Sequence, residues 1–134
     1  SVVVWELGFS IVCSKDGDLT KNDIAKPIDK AIKKESELLL AKTKKEDLII
    51  CLDKAGKSFD TLKLKQNFDS WISSSKDISF LVGGPDGLSS ECIKQSHLSW
   101  SLSDLTFPHS FVPILIIEQL YRVWSITQNH PYHK

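Results

Sequence analysis

The chain has 134 residues, 41% hydrophobic and 25% charged, a profile that suits one globular domain with a buried core. Its 17 Lys and Arg balance 17 Asp and Glu, which argues against a protein that coats nucleic acid non-specifically. A local basic patch remains compatible with RNA binding, because the field depends on where the charges sit.

No apolar run approaches the roughly 20 residues that span a bilayer, so no membrane partner is expected. No signal-peptide pattern opens the chain. Cys13, Cys51 and Cys92 are an odd set without a CxxC, which gives neither a disulfide framework nor a zinc site. They read as reduced, packed thiols of a cytoplasmic protein. Methionine is absent even at position 1, consistent with a trimmed or incomplete chain.

Val2 to Trp5 and Phe9 to Cys13 are rich in β-branched and aromatic residues and predict short strands. Asp16-Gly17-Asp18 marks a loop; it lacks the spacing and terminal Glu of a calcium-binding EF-hand. Thr20 and Asp23 have capping-box spacing, and a helix is expected to run to about Lys42. Ile24, Ile28, Ile32 and Leu39 would share one face, and Pro27 suggests that the regular helix begins near it.

Leu48 to Leu52 is a continuous apolar run, as in a strand covered on both faces. Asp53 to Lys57 should turn the chain at Gly56. A helix from about Phe59 to Ser74 would carry Leu62, Phe68, Trp71 and Ile72 inward. Ile78 to Val82 is the next buried strand, broken by Gly83-Gly84-Pro85-Asp86-Gly87. Ser89 can cap a short helix to about Ser96. Leu98, Trp100 and Leu102 alternate with serines as in a strand with two unlike faces.

The last helix is expected from about Ser110 to Gln128, with apolar residues around nearly its whole circumference. Such a helix needs cover on all sides, and in so small a domain that implies a second copy of the chain.

Strands alternating with helices predict an α/β fold with a mostly parallel sheet flanked by helices. Ligands in such sheets sit beyond the carboxyl ends of the strands. Three segments meet that description: the turn after Leu52, the glycine loop after Val82, and Ser103 to His109.

At these residues the sequence resembles a known family. Phe80 to Leu88, Leu98 to His109, Glu118 to Ile126 and His130 to Lys134 are similar, in order and at matching spacing, to the RlmH family. These are pseudouridine N3-methyltransferases of the large ribosomal subunit, and the resemblance covers residues 47–134. It implies a SPOUT fold, one α/β domain whose C-terminal part threads a loop to form a trefoil knot, a rare exception to unthreaded chains. It implies binding of S-adenosyl-L-methionine in the knot and action as a homodimer on large-subunit rRNA within the ribosome, without a metal. Leu52, Gly84 and the run Ser103, Asp104, Leu105, Thr106, Phe107 and Pro108 match the family's cofactor-binding segments. Gly83 belongs to the same loop; glycines there let backbone approach a ligand closely.

Two histidines three apart in the tail are thin grounds for a metal. In relatives the tail reaches the active site, which makes Tyr132 and His133 candidate catalytic residues, with Arg122 aiding phosphate or tail contacts. Glu118, one turn from Arg122, would give the alternative of an ordinary ion pair. His133 is a candidate general base for the pseudouridine N3 proton, and Asp53 a weaker one. Lys26, Lys30, Lys33, Lys34, Lys42, Lys44 and Lys45 are candidates for phosphate contact or simply a solvated face.

Residues 1–46 match the family pattern poorly. Relatives place a strand, a long helix and a second strand where this chain has about 13 residues, so this part is either shortened or incomplete. Pro113 stands where relatives usually carry Arg; proline suits a first helical turn, but a cationic contact is lost. Lys134 replaces a common Arg and keeps the charge without the bidentate fork. These departures motivate an alternative function, a non-catalytic RNA- or ribosome-binding module retaining the knotted fold.

Overall fold

The computed structural model describes residues 2–4, 9–13, 28–44, 46–74, 76–83, 88–103, 105, 107–108, 110–129 and 131–133. Strands β1 (Val2–Val4) and β2 (Phe9–Cys13) are followed by helix α1 (Ile28–Ala41). Then come β3 (Leu48–Lys57), α2 (Thr61–Ser73), β4 (Ile78–Val82), α3 (Ser90–Gln95), β5 (Leu98–Trp100) and α4 (Val112–Thr127). A short 3-10 turn covers Pro131–His133.

The sheet order is β1-β2-β4-β3-β5. β2, β4, β3 and β5 are parallel to their neighbours, and β1 pairs antiparallel with β2 at the edge. The mostly parallel α/β sheet expected from the apolar runs is therefore present. Side chains alternate between its faces with the two-residue period of a strand. Leu48, Ile50 and Leu52 of β3 and Ile78, Phe80 and Val82 of β4 join one apolar cluster with Leu64, Phe68 and Trp71 of α2 and Ile116, Leu120 and Val123 of α4. Ile49, Cys51 and Leu81 face the other way, toward Leu39 of α1 and Cys92 of α3.

Local chemistry sets the helix starts. The Asp60 carboxylate accepts from the Lys63 N–H at 2.8 Å and caps α2. Ser89 caps α3 by accepting from the Cys92 N–H at 3.1 Å, while its own N–H donates to the buried Ser36 hydroxyl of α1 at 2.9 Å. That bond ties the exit of the glycine-rich segment to α1. Pro113 occupies the first turn of α4, where its missing N–H costs no helical hydrogen bond.

Three expectations need correction. Asp53 to Lys57 is not a turn: β3 continues through Lys57, with a register irregularity after Leu52. Gly56 permits this because its missing side chain admits the Ser99 backbone; an added Cβ would lie 2.6 Å from the Ser99 carbonyl. The inward face of α2 is Leu64, Phe68 and Trp71, whereas Leu62 is 67% and Ile72 42% exposed. The buried stripe falls at i, i+4 and i+7, and both of those residues stand outside it. Leu102 lies beyond the end of β5. Asp16 to Thr20, Asp23, Ile24 and Lys26 lie outside the described residues, as does Lys45.

Candidate functional site

The register of the parallel strands brings the expected ligand segments together. Leu52 of β3 pairs with Val82 of β4 on one side and with Trp100 of β5 on the other. Gly83 follows Val82 directly and is buried, and Ser101 to Ser103 follow Trp100. β4 and β5 thus end level with Leu52, on the carboxyl side where a parallel sheet presents its ligands, while β3 itself runs on to Lys57. Leu52 and Leu102 are half-buried against the aromatic cluster, beside Val112 and Trp124 of α4.

The segment after β5 is held by its own hydroxyls. The Ser101 Oγ donates to the Ser103 carbonyl at 3.1 Å, and the Leu105 N–H donates to the Ser103 Oγ at 3.0 Å. The Phe111 N–H reaches the Pro108 carbonyl at 2.9 Å and leads into α4. Leu105 is 71% exposed and Phe107 half-buried. Gly84, Asp104 and Thr106 lie outside the described residues.

A second cluster joins the tail to α4. The Glu118 Oε1 accepts from Arg122 through Nε at 3.1 Å and a terminal nitrogen at 2.5 Å, and the Tyr132 hydroxyl lies 3.4 Å from the same oxygen. The Arg122 guanidinium sits 5.6 Å from the centre of the Tyr132 ring. Tyr132 also packs edge-on to Tyr121, with centroids 4.6 Å apart. Arg122 therefore makes the ion pair and the tail contact together, so the two sequence readings are not exclusive. His133 falls in the 3-10 turn, but its side chain lies outside the described residues, as do His130 and Lys134.

Beneath Leu52, the Cys51 and Cys92 thiols approach to 4.0 Å. The hydrogen bond between them lowers the Cys51 thiol and raises that of Cys92, and burial raises Cys92 further. All three cysteines are buried, and none is in a disulfide. Among the described residues, no group of three or more His, Cys, Asp or Glu is placed to hold a metal ion. No described helix is long and apolar enough to cross a membrane. Lys30, Lys33, Lys34, Lys42 and Lys44 are solvent-exposed on and after α1.

Sequence reasoning missed His97. Its ring Nδ1 accepts from the Ile49 N–H at 3.0 Å, taking the place of a ladder carbonyl at the start of β5. That bond joins residues 48 positions apart, and no local pattern signals it. Compared with known families, residues 6–133 match a family model described as predicted SPOUT methyltransferase. The match takes in most of the N-terminal third, which the resemblance from residue 47 onward had left out.

Proposed function

Because the chain belongs to the SPOUT methyltransferase family, we propose that it transfers a methyl group from S-adenosylmethionine to N3 of a pseudouridine in large-subunit rRNA. The observation that supports the reading is the double pairing of Leu52 with Val82 and Trp100, the strand residues that lead into the other two cofactor-matching segments. Leu52, Gly83, Gly84 and the run Ser103, Asp104, Leu105, Thr106, Phe107 and Pro108 would hold the cofactor. The residues fit it: a buried glycine allows backbone approach, and Leu52, Leu105 and Phe107 offer apolar surface to an adenine. When bound, S-adenosylmethionine supplies an electrophilic methyl on its sulfonium.

The protein's own task is alignment and proton removal. Rigid strand ends position the base behind the methyl group, chiefly a matter of proximity and orientation. His133 accepts the N3 proton as general base, with Asp53 the weaker candidate. Arg122 and Tyr132 hold the tail on α4 so that His133 reaches the site. The C-terminal part of the chain would thread a trefoil knot, a reading supported by the family match over residues 6–133.

The working unit is a homodimer in the cytoplasm, in which one chain's tail closes its partner's cofactor site. Ile114 and Ile117 of α4 and Phe111 just before it support this, since all three stand exposed. Buried thiols outside any disulfide accord with a reducing compartment.

Radiolabelled methyl transfer to ribosomes lacking this modification tests the proposal. The parent chain should label the large-subunit rRNA, with at least a ~100-fold lower rate in His133→Ala, the range of a lost general base. Absence of labelling by the parent overturns the enzymatic reading.

A further inference from the structure

We propose that the groove between the far end of β3 and the start of β5 is a nucleotide subsite for the RNA substrate, separate from the cofactor pocket. The inference rests on the methyltransferase reading and goes beyond it by naming where a nucleotide near the target docks. The groove has a volume of about 440 Å³, within the range of small-molecule sites. Asp53, Lys57, Ile93, His97, Leu98 and Ser99 are among the residues that line it.

Its placement is informative. Ser99 pairs with Cys51, so both side chains lie on the α3 face of the sheet. Leu52 lies on the opposite face, toward α4. Asp53 is the next residue after Leu52, so the groove begins about 3.8 Å along the chain from a cofactor-matching residue. A strand of RNA crossing the sheet edge would meet both.

Three features fit a nucleotide. First, the His97 imidazole is exposed yet pinned by the Ile49 N–H at Nδ1, which leaves the ring proton on Nε2 as a donor. A ring already fixed by the backbone loses little freedom when a base stacks on it, and histidine is among the side chains on which unstacked RNA bases rest. Second, the Ser99 hydroxyl oxygen is buried and without a hydrogen-bond partner among the described residues. Buried polar groups are nearly always partnered, so an unmet one in a groove points to a polar ligand. Third, the exposed Lys57 cation suits a phosphate, and the half-buried Asp53 carboxylate can accept from a base N–H. Ile93 and Leu98 supply an apolar wall.

The test is a titration of the full chain with uridine 5′-monophosphate, followed by NMR in the presence and absence of S-adenosylhomocysteine. Saturable shifts are expected at His97 and Ser99 in both conditions, and not with inorganic phosphate alone. His97→Ala should weaken nucleotide binding at least about fivefold, as loss of one stacking platform does. Lys57→Ala should weaken it as well, while S-adenosylhomocysteine binds both variants as it binds the parent. No shift at His97 and Ser99, or displacement of the nucleotide by S-adenosylhomocysteine, overturns the proposal. The titration requires no methyl transfer, so its failure is distinguishable from failure of the enzymatic reading.

Discussion

The two faces of the sheet are built differently. The face toward α2 and α4 carries large rings: Phe80 meets Phe9, Trp71 and Trp100 at centroid distances of 5.9, 5.7 and 6.3 Å. The face toward α1 and α3 carries smaller groups, Val12, Leu39, Cys51, Leu81 and Cys92. Both the nucleotide groove and a second groove, between α1 and the start of α3, open on that thinner side. Dense aromatic packing anchors the strands from one face, and short α3 with small side chains leaves room for a ligand on the other. Stability and recognition are thereby divided between faces that share the same strands.

Substitutions test that division. Phe80→Ala removes a fully buried ring from the aromatic face and should cost about 4 kcal/mol in denaturant unfolding. A loss under about 1 kcal/mol would mean that this face is not the anchor. Gly56→Ala forces a Cβ against the Ser99 backbone and should cost about 2 to 3 kcal/mol in the same measurement. An unchanged midpoint would contradict the close approach of β3 to β5. Cys51→Ala deletes one buried atom from the thinner face and should cost about 1 kcal/mol. A cost equal to that of Phe80→Ala would erase the contrast.

The smallest stability effect belongs to Arg122→Ala. Its ion pair with Glu118 is only partly buried, so about 0.5 kcal/mol is expected. Methyl transfer should nevertheless fall at least about tenfold, because one lost charged contact that positions a reacting group is amplified in rate. Equal and small effects on stability and rate would make the cluster merely structural.

Much of this arrangement was legible in the residues. The apolar runs Leu48 to Leu52 and Ile78 to Val82 identified covered parallel strands, although β3 runs on past Leu52 to Lys57 instead of breaking there. Ser89 was readable as a cap because its chemistry is local. What failed was decided at a distance. Gly56 looked like a turn residue, yet it serves a close contact with Ser99, 43 positions later in the chain. Leu62 and Ile72 are apolar like their neighbours, and only the packing of α2 against α4 selects Leu64, Phe68 and Trp71 instead. His97 carried no signal because its partner is a backbone N–H on another strand.

The central claim is that three neighbouring segments, at Leu52, after Val82 and after Trp100, together hold S-adenosylmethionine. An NMR titration of the full chain with that cofactor tests it most directly. Saturable shifts of the Leu52, Gly83 and Ser103 amides, reached with one cofactor per chain, are the predicted result. Saturable binding that leaves those three amides unmoved, or no binding, would contradict it.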